Sequence, residues 1–197
     1  MSVDRVPLRA SHSRRSIRLR GFDYSRQGVY FVTICVKMGD LMFGHVVEGK
    51  VHLNAAGRAA VKCWREIPRH FRNAGLDEFI VMPNHVHGIL AINGIRSAIG
   101  VGAQHAAPLP LARHTSVGHP ASRGPARAGV APGSLGAIVR SFKAATTKRI
   151  NEIRGTPGGS VWQRNYFDRI IRDDRELDRA RRYVTLNPAR WTERGGE

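Results

Sequence analysis

Phe79-Ile80-Val81-Met82-Pro83-Asn84-His85-Val86-His87-Gly88-Ile89-Leu90-Ala91-Ile92 is rich in β-branched and large apolar residues, broken only at Pro83-Asn84. It reads as strands over 76–81 and 86–92, or as one strand kinked at the break. Side chains alternate along a strand, so His85 and His87 share one face, about 6.6 Å apart at Cα, while Val86 points into the core. Two imidazoles at that spacing can converge on one metal ion.

Working outward, Gly28–Val36 is a buried strand by its Val, Tyr, Phe and Ile content. One or two strands lie in Leu41–Leu53, with Glu48-Gly49-Lys50 as the hairpin. Asn54 caps a helix whose Ala56, Ala60, Trp64 and Ile67 fall at helical spacing, and Pro68 ends or bends it. Ser134 caps a second helix with a stripe of Leu135, Ile138, Val139, Phe142, Ile150 and Ile153. Residues 161–171 read as a final strand. Asp173 or Asp174 then caps a last helix with Leu177, Ala180 and Val184 inward. This order predicts an α+β sandwich: a mainly antiparallel sheet with helices packed on one face.

The 197 residues favour one domain, over 21–191, behind a basic flexible arm at 1–20 and before a short tail at 192–197. Residues 93–133 hold many Gly, Ala and Pro, four Arg and no acidic residue, and read as a disordered insertion. Its His105, His114 and His119 are irregularly spaced and lack companion ligands. The net charge of +17 and pI near 11.4 point to a polyanionic partner. The excess is spread over both flanks of the core. No segment is apolar enough to span a bilayer, Cys35 and Cys63 form no paired framework, and no signal peptide is evident, so a cytoplasmic location is expected.

The last helix adds a second chemical element. Tyr183 and Asn187 stand four residues apart, hence on one face about one turn apart. Tyr183 is either an amphipathic residue at a packing seam or a nucleophile. Asn187 is either a helix terminator before Pro188 or an oxygen donor to a metal.

Met82-Pro83-Asn84-His85-Val86-His87-Gly88 resembles the His-hydrophobe-His motif of single-tyrosine HUH transposases of the insertion-sequence type. Trp162-Gln163-Arg164-Asn165-Tyr166-Phe167, Arg182-Tyr183-Val184 and Asn187-Pro188-Ala189-Arg190-Trp191 resemble their REP-associated branch. The likeness runs from about Gly21 to Trp191 and is interrupted by the insertion. It implies a ferredoxin-like fold, a divalent ion (Mg²⁺ or Mn²⁺) held by His85, His87 and Asn187, and Tyr183 as nucleophile. It also implies hairpin-bearing single-stranded DNA as substrate, cleaved and rejoined through a 5′-phosphotyrosine link. The Asn at the third ligand position, where many insertion-sequence members carry Gln, matches the REP-associated branch. Mobile members form dimers that exchange tyrosine helices and REP-associated ones can act as monomers, so monomer and homodimer both stay open.

A cation on a non-bridging oxygen neutralises phosphodiester charge, and a phenol with reference pKa near 10 needs help to attack. Arg179, Arg181 and Arg182 are equal candidates for that help. Arg140, Lys143, Lys148, Arg164 and Arg182 are candidate DNA contacts, and Trp162 is either a base-stacking platform or core. Tyr166 is the rival nucleophile, next to Phe167 in the expected strand. Two alternatives compete with the enzyme: a domesticated, non-catalytic DNA or RNA hairpin binder, and a structural zinc protein using the histidine pair.

Overall fold

A computed structural model of the chain describes residues 26–92 and 130–193. The basic arm, nearly all of the insertion and residues 194–197 lie outside the described residues. Strand β1 (Gly28–Cys35) leads into the hairpin β2 (Gly44–Val47) and β3 (Lys50–Leu53). Helices α1 (Ala55–Arg65) and α2 (Ile67–His70) follow, then β4 (Ala74–Met82), β5 (His85–Ile92), α3 (Leu135–Arg154), β6 (Phe167–Ile171) and α4 (Asp174–Glu193).

The main sheet has the order β4-β5-β1-β6, with every neighbouring pair antiparallel. β1 and β4 are therefore parallel with β5 between them, and β5 and β6 are parallel with β1 between them. That is the split βαβ arrangement of a ferredoxin-like α+β fold. Pro83-Asn84 is a tight turn between two full strands, with Val81 opposite Val86 and Met82 opposite His85. The β2–β3 hairpin forms its own two-stranded sheet, turning on Glu48 (φ 48°) and Gly49 (φ 70°). Both residues occupy the left-handed region, as a two-residue turn of matching twist requires.

Local signals act where expected. The Asn54 side chain accepts from the Gly57 N–H, and Ser134 accepts from Ala137. Pro68 opens the short α2 after α1 has ended. One face of the sheet carries Tyr30, Val32, Ile34, Val86, Leu90 and Ile92, buried against Trp64 of α1 and Leu135, Ile138, Phe142 and Ile150 of α3. Trp64 lies so close to β5 that a Cβ on Gly88 would sit 2.2 Å from its ring. Only glycine permits that approach.

Three details differ from the sequence reading. The helices do not all pack on one face: α1 and α3 cover one side, and α4 covers the other through Leu177 and Ala180 against Val29, Phe31, Ile89 and Ala91. The final strand begins at Phe167, since Val161 and Trp162 turn inward to complete the core and Trp162 only bridges to Val36. Tyr166 thus precedes the strand and packs on the α1/α3 side. Ile153 is exposed, because α3 has passed the end of the core at its last turn.

Candidate active site

The central strand β5 delivers His85 and His87 to the α4 face, opposite the one carrying Val86. Antiparallel pairing sets Thr33 directly across from His87 on β1, and Ile80 across from it on β4. The Thr33 hydroxyl lies 2.8 Å from His87 Nδ1. His85 Nδ1 donates to Asn84 Oδ1 at 2.6 Å. Both rings are thus held through Nδ1, with centroids 4.4 Å apart. Burial pushes the His85 pKa down to about 4, partly countered by a hydrogen bond with the Asn187 side chain. Burial, reinforced by the neighbouring His85, pushes His87 down to about 3. At neutral pH both imidazoles are uncharged.

The last helix brings the other half. Asp173 Oδ1 caps it by accepting from the Glu176 N–H at 2.7 Å, which makes Asp173 the cap. Arg181 grips both carboxylate oxygens of Asp77 at 2.7–3.1 Å. Asp77 lies within the register shift of β4 between Leu76 and Phe79. Two residues on, Tyr183 sets its ring edgewise on His87 (centroids 5.1 Å) and on Phe31 (5.7 Å). One further turn brings the buried Asn187 onto His85.

The helix does not stop before Pro188, as the sequence suggests, but runs through it to Glu193. A proline inside a helix removes one hydrogen bond and costs about 3 kcal/mol. Here burial of Val184 and Pro188 offsets that cost, and Ala189 packs against the Gly49 turn. The continuation places Trp191 beside His85 (5.7 Å) and the Arg190 guanidinium 5.8 Å over the Tyr183 ring.

Sequence reasoning passed over Thr33, Asn84, Phe31, Arg190 and Trp191. Asn84 adjoins His85 and was findable by proximity. Thr33 and Phe31 share alternating parity on β1, but their service to the site depends on strand pairing. Arg190 follows Tyr183 by seven residues, a same-face spacing that counts only if the helix survives Pro188.

The donor set fits a divalent ion modestly. Uncharged imidazoles oriented by their Nδ1 partners, beside a buried amide, are competent ligands. Among the described residues no three His, Cys, Asp or Glu side chains form a metal-holding group, so the third protein ligand would be the Asn187 amide.

The other candidates scatter. Arg182 is exposed on α4 next to Tyr183. Arg140 and Lys148 are exposed on α3, across the sheet from the histidines, and Arg164 is exposed in the loop before β6. Lys143 spends its ammonium on the Gln163 and Asn165 carbonyls at 2.8 and 2.7 Å, and burial pulls its pKa to about 8. Trp162 is buried between Phe43 and Phe142, so it has no face open to a base. No described helix is long and apolar enough to cross a membrane.

No family model matches the chain. An uncharacterized protein of Haemophilus influenzae is 35% identical over 184 residues, covering 91% of each chain. A solved structure of a REP-associated tyrosine transposase bound to a REP hairpin matches with a TM-score of 0.51 at 13% identity, over 89% of this chain and 74% of that one. At that identity the likeness is one of fold.

Proposed function

This chain belongs to the same family as its Haemophilus influenzae relative, and we propose that it cleaves and rejoins hairpin-bearing single-stranded DNA through Tyr183. One observation carries the reading. A phenol from the terminal helix rests on His87, one of a pair of uncharged, oriented imidazoles from the central strand, while Asn187 of the same helix meets the other, His85. Apolar side chains would serve simple packing without the desolvation cost of two imidazoles and an amide, a cost that their hydrogen bonds only offset. The fold likeness to a hairpin-bound tyrosine transposase and the charge of +17 support a DNA substrate.

His85, His87 and Asn187 would hold Mg²⁺ or Mn²⁺, which when bound neutralises phosphate charge and favours attack at phosphorus. Tyr183 Oη then forms a bond to phosphorus as the P–O3′ bond breaks. The phenol gives up its proton and the departing 3′ oxygen gains one, leaving a 5′-phosphotyrosine and a free 3′-hydroxyl. A second 3′-hydroxyl attacking the same phosphorus restores the diester and frees Tyr183, with no ATP consumed. Thr33 and Asn84 act by keeping the rings oriented, and Phe31 by fixing the phenol plane.

The test is incubation with oligonucleotides from hairpin repeats beside the gene. The wild-type chain gives a covalent adduct with Mn²⁺ that survives denaturant, and EDTA or Tyr183→Phe removes it. Tight binding that ignores EDTA and yields no adduct would instead mark a non-catalytic hairpin binder.

A further inference from the structure

Arg190 belongs to the same face as Tyr183, and its guanidinium carbon stands 5.8 Å over that ring. Three other arginines of the described residues have carboxylate partners: Arg149 with Glu66 at 2.8 Å, Arg169 with Glu176 at 3.0 Å, and Arg181 with Asp77 at 2.7 Å. Arg190 is exposed, and no described carboxylate pairs with it. Its position is built rather than incidental. The helix is carried through Pro188, and the next residue, Ala189, is seated on the Gly49 turn, where a Cβ would already lie 3.5 Å from the Ala189 Cα. Asn187 lies between Tyr183 and Arg190 in sequence, so the phenol, the amide and the free guanidinium occupy successive turns of one helix face.

Resting on the reading above, we propose that Arg190 is a catalytic residue that binds the non-bridging oxygens of the scissile phosphate as Tyr183 attacks it. Attack by the deprotonated phenol raises the negative charge around phosphorus. A planar guanidinium meets two such oxygens through parallel N–H donors, which an ammonium cannot match. Arg181 is excluded from this role by its grip on Asp77; it positions the helix instead.

The experiment measures single-turnover adduct formation with Mn²⁺ on a hairpin repeat oligonucleotide, together with the dissociation constant for the same oligonucleotide at fixed salt. Arg190→Met is expected to slow adduct formation about a hundredfold, the effect of removing one preorganised donor from a developing charge. Its binding should weaken no more than in Arg175→Met, which removes an equal charge from an exposed site in the first turn of α4. Arg190→Lys should recover part of the rate. Thermal melting checks that each variant folds. If Arg190→Met reacts as fast as Arg175→Met while the wild-type chain forms adduct normally, the role of Arg190 is overturned and the strand-cleavage reading stands. If the wild-type chain binds the oligonucleotide and forms no adduct, both fall together.

Discussion

The two faces of the main sheet are built by the same strands and could hardly differ more. On the α1/α3 face, β5 offers Val86, Gly88, Leu90 and Ile92 to a closed apolar core in which Trp64 packs on the bare Gly88 backbone. On the α4 face, the alternate residues of β5 begin with His85 and His87 and only then become Ile89 and Ala91. There α4 is held by a small apolar patch, an ion pair and a line of ring contacts. The lesson is that a period of two lets one strand build an apolar core on one side and, on the proposed reading, present chemical groups on the other. Substitutions on the two faces should therefore separate stability from activity.

The largest effect on stability is expected from Trp64→Ala. Emptying that site should cost about 3–5 kcal/mol in denaturant unfolding while adduct yield per folded molecule stays unchanged. A matching loss of specific activity would erase the contrast between the faces. Next comes Arg181→Met, which strands the Asp77 carboxylate, 6% exposed, without its partner. Because Arg181 itself is partly exposed, about 2–3 kcal/mol is expected, below the full cost of breaking a buried pair. Asp77→Asn should cost less, since the freed guanidinium can reach water. Equal losses from the two variants would contradict this asymmetry.

Acid should act on the α4 face selectively. The folded pKa values of His85 and His87, about 4 and about 3, lie below the ordinary 6.5. Between those values the unfolded chain binds more protons than the folded one. Stability is therefore complete above about pH 6.5 and falls as pH drops toward 4, by up to about 1.4 kcal/mol per unit for each imidazole. Melting curves of a His85→Gln/His87→Gln variant without metal should show a flatter acid limb, and an unchanged limb would place the acid sensitivity elsewhere. The smallest effect belongs to Asn54→Ala, which removes the cap of α1 and should cost about 1 kcal/mol with no change in catalysis.

Much of this was legible in order and spacing. The alternation across 85–92, the caps Asn54 and Ser134 and the Glu48-Gly49 turn depend on neighbours in sequence, and they formed as read. What escaped depends on tertiary context. Trp162 sits in a run that looks like strand, yet its loop folds inward because the core between Phe43 and Phe142 has room for an indole. Pro188 is a stop signal overruled by burial. That α4 covers a second face could not be read from its stripe, since Leu177, Ala180 and Val184 would suit either side. The candidates His85, His87, Tyr183 and Asn187 do converge, whereas Arg140, Lys143 and Lys148, which only their charge singles out, stand across the sheet from them.

The most direct measurement is the address of the covalent link. Trypsin cuts after Arg182 and after Arg190, so mass spectrometry of digested adduct reports Tyr183 on its own peptide, apart from the one bearing Tyr166. The account predicts a 5′-phosphonucleotide on the peptide spanning 183–190. Finding it on Tyr166, or finding adduct undiminished in Tyr183→Phe, would contradict it.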